Sequence, residues 1–305
     1  MFHHLHGQGH PVAPGSISRS GFEGIIRFLD PHRILDPLEW LEKVDGNGLA
    51  DGDLCLTFDD ALLCQVEVAL PVLEQHGLRA FWFVYSCVFE GEPAKFEVYR
   101  IFRCNYFSDV EDFYRLFFDR AFASGFEERA RTVFRGTDIS RRMRSFPFYS
   151  MNDVKFRLMR DQVLTRQEYE LLMDEMMRER GLSLEDLSTG LWMTNEHLRH
   201  LSDRGHVIGL HSYSHPMVFA ELCRAEQARE YERNYQHVSN VCGRKPVAMA
   251  HPANSYGEAT LEILRDLGIR CGFRADMFPR VEAGPLNASR LELARQDHAN
   301  VMSML

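Results

Sequence analysis

Residues 54–84 read LCLTFDDALLCQVEVALPVLEQHGLRAFWFV, and three patterns follow one another within them. Leu54-Cys55-Leu56-Thr57-Phe58 is a short apolar run of strand composition. Val66 to His76 carries apolar residues at helical spacing, and Gly77 supplies the residue type that closes helices. Ala80-Phe81-Trp82-Phe83-Val84 is apolar throughout, as expected of a strand covered on both faces. Strand, helix and buried strand make a βαβ unit. The order predicts an α/β fold with a parallel sheet.

Outward from this unit the rhythm is interrupted and then resumes. Residues 86–190 are rich in Phe, Arg and acidic residues, with a helical pattern from Val110 to Ala123. Thr165 and Glu168 make a capping box that opens a second helix, running to Arg180. This stretch is read as a mainly helical insertion in a single domain spanning 1–305. Beyond it Thr194 caps a helix through Leu201, and His206–Leu210 is a strand. A helix from about Arg224 to Val241, a strand at Pro246–Ala250, a helix from Glu258 to Leu267 and a strand at Ile269–Phe273 follow.

The 305 residues are 45% hydrophobic and 26% charged, a soluble globular balance. A net charge of -9 argues against a nucleic-acid partner, which calls for a basic face. The seven Cys form no C-x-x-C pair, so neither a zinc knuckle nor a dithiol motif is signalled, and they fit reduced thiols. No basic segment followed by an apolar one opens the chain, and no stretch approaches the roughly 20 apolar residues that span a bilayer. The expected location is the cytoplasm.

In parallel α/β folds functional side chains gather at the C-terminal ends of strands. Asp59 and Asp60 stand at the end of the first strand, His211 and His215 just beyond His206–Leu210, and His251 just beyond Ala250. Two imidazoles and a carboxylate can bind a divalent cation while leaving positions open, and a second carboxylate beside them can act as general base. With 14 His, chance alone gives about 0.6 H-x-x-x-H pairs, so the pair by itself decides nothing. The acid pair and the His pair, each beyond an apolar strand, decide it jointly. Trp82 and Trp192 are expected in the core.

These segments resemble the polysaccharide deacetylase family, the nodulation-factor deacetylase homology domain. Leu56-Thr57-Phe58-Asp59-Asp60 looks like its first motif, and Gly205 to Pro216, with His211-Ser212-Tyr213-Ser214-His215, like its second. Ala250-His251-Pro252-Ala253-Asn254-Ser255-Tyr256-Gly257 sits where the third belongs, and Met1-Phe2-His3-His4 resembles the strand ending in His that opens many members. The resemblance covers residues 1–85 and 190–300. It implies a distorted seven-stranded (β/α) barrel and hydrolysis of an N-acetyl group on an amino sugar. Carried over by position, Asp60, His211 and His215 bind the metal and Asp59 is the base. The backbone N–H of Ala253 or a neighbour faces the oxyanion, and the late His298 supplies the proton to the leaving amine. His4, Tyr213, His251 and Tyr256 are the expected substrate contacts. Zinc suits the nitrogen and oxygen ligands first, with cobalt, nickel or manganese as alternatives.

The chain departs from the pattern in three places. Ala61 replaces the Gly that usually follows the acid pair, and Ala250 and Ala253 replace the Arg and aromatic of the third motif. That Arg normally orients the base, so its absence leaves open a non-catalytic carbohydrate-binding relative. An amidase acting on another small acyl group such as formyl, or on non-sugar amides, is a further alternative. For the deacetylase, the expected partner is an amino sugar, free, nucleotide-linked or lipid-linked, in O-antigen or capsule assembly.

Overall fold

Two parallel sheets form among the described residues of the computed structural model, which are 1–140, 143, 150–280 and 284–305. The smaller pairs β1 (Leu5–His6) with β2 (Ile17–Ser18). The larger is a curled five-stranded sheet of β3 (Thr57–Asp59), β4 (Phe81–Val84), β5 (Val207–Leu210), β6 (Ala248–Ala250) and β7 (Cys271–Phe273), in that order. Parallel neighbours need crossovers, and between successive strands of the larger sheet helices supply them. In chain order these are α1 (Arg19–Leu29), α2 (Pro37–Asp45), α3 (Leu70–Gln75), α4 (Lys95–Asn105), α5 (Val110–Ala123), α6 (Glu127–Gly136), α7 (Met151–Leu158), α8 (Arg166–Glu179), α9 (Leu184–Ser188), α10 (Asn195–Asp203), α11 (Arg224–Cys242), α12 (Glu258–Asp266) and α13 (His298–Met302).

Alternation along the strands explains why they are apolar throughout. Phe81, Phe83, Ala248, Ala250 and Phe273 join one core with Leu41 and Val44 of α2, whereas Trp82, Val84 and Met249 join the other with residues of α1, α3, α10, α11 and α12. Gly209 is required where it stands, because a Cβ there would lie 2.6 Å from both Ala248 O and the Phe83 ring.

Seven strands were expected in the main sheet, and the described residues give five. At its edges the sheet continues only through single bridges, Phe2 to Phe58 and Leu293 to Phe273. Competing partners stop both: His4 O turns aside to accept Ile17 N–H, and Arg274 O accepts Arg295 Nε while Arg295 N–H goes on to Asp276 O.

The sheets, with α1–α3 and α10–α13, belong to one compact unit of Met1–Val12, Ser16–Glu92 and Gly190–Leu305. Pro93–Thr189, with Ala13–Gly15, form a second, containing α4–α9. Its core is aromatic, with Phe113, Phe117 and Phe156 mutually edge-on or stacked, and Thr165 and Glu168 cap α8 reciprocally. Asp153 is buried there against the Tyr114 hydroxyl (2.7 Å), Arg157 (3.3 Å) and Arg103 (3.5 Å).

Candidate metal centre

The acid pair sits where β3 turns out of the sheet. Asp59 N–H donates to Phe2 O and Asp60 N–H to Phe83 O, so both residues are fixed by neighbouring strands. The chain then adopts left-handed conformations at Asp60 (φ 80°) and Ala61 (φ 55°), costing about 1–2 kcal/mol each for non-glycine residues. Ala61 thus occupies a position suited to Gly. Met193 N–H bonds Ala61 O, and the Gln65 amide donates to both Asp59 O and His3 O, holding the turn from behind.

The second loop leaves β5. His211 Nδ1 donates to Ala250 O at 2.8 Å, which fixes the tautomer and leaves Nε2 as a ligand atom. Nε2 lies 3.4 Å from Asp60 Oδ1, and His215 Nε2 lies 3.7 Å from the same oxygen. Ligand atoms of Asp60, His211 and His215 all fall within 4.8 Å of one another, and the three residues are buried. Asp60 Oδ1 is a buried oxygen without a hydrogen-bond partner. One carboxylate and two imidazoles around such an oxygen fit a divalent cation with open coordination positions. Burial pushes the Asp60 carboxyl up, but His211, His3 and His215 outweigh it and hold it well below the usual range. Burial and the neighbouring His211 bring His215 down to about 4, favouring the neutral ligand form.

Asp59 faces a different partner. Arg295 Nη1 and Nη2 donate to its two oxygens at 2.7 Å each, a bidentate clamp, while Arg295 Nε donates to Arg274 O. The guanidinium lies 5.7 Å from the Phe83 ring centroid and 5.9 Å from that of Phe273. Burial raises the Asp59 carboxyl, yet the Arg295 and His211 charges keep it below the ordinary value. Arg295 was missed from the sequence because an orienting Arg was sought beside Pro252. Its only signal was Leu293-Ala294-Arg295 after the last strand.

Residues 175–272 match the family model for polysaccharide deacetylase. The fold is shared with the deacetylase PplD of Streptococcus pyogenes, solved with acetate, at 14% identity and TM-score 0.55, covering 96% of this chain and 88% of that one. It is shared with IcaB of Ammonifex degensii at 16% identity and TM-score 0.51, covering 98% of each chain, and with a de-N-acetylase of Aggregatibacter actinomycetemcomitans at 10% and 0.52, covering 97% and 92%. Over that stretch the chain matches the polysaccharide deacetylase family. No curated protein sequence matches it.

Against the polysaccharide deacetylase pattern, the remaining expectations fare unevenly. The N-terminal imidazole whose Nε2 reaches the acid pair is His3, at 3.7 Å from Asp59 and 4.0 Å from Asp60, with the His4 ring stacked beside it at 6.4 Å. His298 is buried on α13, its ring 5.8 Å from that of Phe2, and burial brings it down to about 4. His251 is buried, donates Nε2–H to Leu291 O and stacks on Tyr256 at 3.9 Å, and burial lowers it to about 3. Nε2 is thus committed to backbone, and the clamp on Asp59 comes from Arg295. The Tyr213 hydroxyl donates to Glu90 with Arg233 3.4 Å from the ring centroid, and the Tyr256 hydroxyl donates to Glu292. Both phenols are engaged by protein carboxylates. Ala253 is exposed in a left-handed conformation (φ 49°). Trp82 is fully buried, and Trp192, half-buried, donates to the Tyr85 hydroxyl. No helix among the described residues is long and apolar enough to cross a membrane.

Proposed function

We propose that this chain hydrolyses the N-acyl group, foremost N-acetyl, of an amino sugar, with a divalent metal ion (zinc first) held by Asp60, His211 and His215. The observation that supports it is the convergence of those three ligands beside an acid, Asp59, clamped by a fixed arginine. A bound cation there supplies Lewis-acid polarisation of the amide carbonyl and acidification of the attacking water. Arg295 keeps Asp59 ionised and oriented, so Asp59 accepts the water's proton as general base. His3, beside both carboxylates, is placed to pass a proton to the leaving amine. His298, the acid expected from the sequence, is the alternative donor from behind Phe2. The same reading takes the curled sheet as a barrel of seven positions, counting the Phe2 and Leu293 bridges, with hydrogen bonds from the Met1 ammonium to Gln296 O and from His298 N–H to Met1 O across the gap.

A non-catalytic relative would lack an arginine on the base, and Arg295 offers one from another segment. The context we propose is the assembly of a surface polysaccharide, an O-antigen or capsule precursor. Metal analysis of the purified protein, followed by acetate release from N-acetylglucosamine oligomers, tests the reading. Asp59→Asn should keep the metal and lose turnover about 10²–10⁴-fold. Undiminished turnover by Asp59→Asn overturns the assignment. Cleavage of small carboxamides but not of sugar amides would move the substrate class away from sugars. A loss in His3→Gln with none in His298→Gln would assign the acid to His3.

A further inference from the structure

Helix α11 places polar side chains on its buried face. Gln227, Tyr231, Asn234 and Val238 are buried along it, with Glu230 half-buried between them. Polar groups in such positions are costly unless bonded; the Tyr231 hydroxyl has no partner among the described residues, and the partners of the other three say what they are for. Gln227 bonds Leu222 O and the Thr260 hydroxyl, joining its helix to the preceding turn and to α12. The other two serve the loop of the metal ligands. Asn234 Oδ1 accepts His211 N–H at 3.0 Å, and its Nδ2 donates to Val84 O at 3.0 Å. Both partners are backbone groups of fixed polarity, so the orientation of the amide is determined. Glu230 Oε2 accepts the N–H groups of Tyr213 (3.0 Å) and Ser214 (2.8 Å), and its Oε1 accepts the Ser214 hydroxyl (2.8 Å).

The N–H groups taken are those of His211, which is shared with Val84 O at 3.2 Å, and of two residues lying between the two imidazoles. That loop does not hold itself in a relaxed shape. Ser212 (φ 63°) and His215 (φ 52°) are both left-handed without being glycine. Within it, His215 N–H donates to Ser212 Oγ at 3.0 Å. Residues four apart on a helix share a face, so Glu230 and Asn234 meet the loop together.

We propose that Glu230 and Asn234 are positioning residues that fix the aim of His211 and His215, so that α11 sets the geometry of the cation site. This rests on the metal reading above. The test uses the whole chain and reads the Zn²⁺ dissociation constant by chelator competition, the Co²⁺ absorption spectrum, and the thermal midpoint of the metal-free protein. Glu230→Ala and Asn234→Ala should weaken Zn²⁺ binding about 10–100-fold and alter the Co²⁺ bands. Gln227→Ala, on the same helix face but bonded elsewhere, should lower the midpoint and leave Zn²⁺ affinity unchanged. Glu230→Gln preserves size at a half-buried position and loses charge-assisted acceptance, so about tenfold weaker binding is expected even if Asn234→Ala fails to fold.

Glu230 and Asn234 variants that bind Zn²⁺ as tightly as Gln227→Ala, while His211→Ala abolishes binding, would overturn the positioning role alone. Zn²⁺ binding indifferent to His211→Ala would overturn the metal reading, and this inference with it.

Discussion

Asp59 and Asp153 are both buried carboxylates neutralised by arginine, and their surroundings separate a site from a brace. Asp153 lies in the first turn of α7, whose N-cap Ser150 accepts its N–H, and a phenol and two guanidiniums surround its side chain. Asp59 has one bidentate partner, and its neighbour Asp60 keeps an unbonded buried oxygen. Backbone strain divides the two regions in the same way. Among the described residues all nine non-glycine residues with positive φ belong to the sheet unit, and six of them (Asp60, Ala61, Ser212, His215, Ala253 and Asn254) sit on loops leaving β3, β5 and β6. Buried charge alone therefore marks nothing. Strain with an unsatisfied acceptor marks a place where something else is to bind.

Removing an arginine partner from one acid, and the acid from the other, should give opposite phenotypes. Arg295→Met leaves Asp59 buried with only the His211 and His3 imidazoles beside it. Activity should fall about 10²–10³-fold, worth about 3–4 kcal/mol of barrier. Because burial raises Asp59 and Arg295 opposes it, loss of the arginine should also move the acid limb of the rate profile to higher pH. An unchanged pH profile would detach Arg295 from the base. Asp153→Asn removes the charge that Arg103 and Arg157 face instead, and about 3 kcal/mol of stability should go, read by denaturant midpoint, with turnover per folded molecule unchanged. A turnover defect in Asp153→Asn would erase the contrast.

How much of this was legible in the sequence follows from what each feature depends on. The βαβ order, the caps at Thr165 and Thr194, and the helix from Arg224 are local patterns, and all appear at their expected places. The acid and His pairs were legible because strand ends announce them. Arg295 was not, because its partner lies 236 positions away in sequence and no periodicity marks it. Two adjacent histidines, His3 and His4, cannot be ranked by motif, since which one faces the acids depends on where Phe2 bridges β3. Asn234 and Glu230 look like ordinary polar positions on a long helix until their partners are known.

The two imidazoles flanking β5 extend the comparison to stability. His211, at the C-terminal end, is raised: burial opposes its charge, but Asp60 and Asp59 outweigh it. His206, at the other end, accepts Ala80 N–H, and burial with the Arg79 charge brings it down to about 4. An unfolded His titrates near 6.5, so between pH 6.5 and 4 the unfolded chain binds a proton here that the folded chain refuses. Its contribution is intact above 6.5 and is lost as pH falls, by about 2 kcal/mol at pH 5. His206→Gln, which keeps an acceptor, should flatten the stability–pH slope in that range by about one proton. An equal slope in both proteins would mean that His206 charges freely in the folded state.

The smallest effect tests the strain itself. Ala61→Gly relieves a left-handed alanine worth about 1 kcal/mol but removes a buried methyl worth about 0.8 kcal/mol, and glycine adds unfolded-state entropy. Stability should therefore stay within about 1 kcal/mol of the original. Ala253 has the same backbone sign with an exposed methyl, so Ala253→Gly loses no burial and should be the more stabilising of the two. If Ala61→Gly lowers activity several-fold while stability holds, the strained alanine serves to fix Asp60 against the imidazoles. If both glycine variants destabilise by clearly more than 1 kcal/mol, those positive φ angles are not the local cost taken here, and strain ceases to distinguish Asp59 and its neighbours from Asp153.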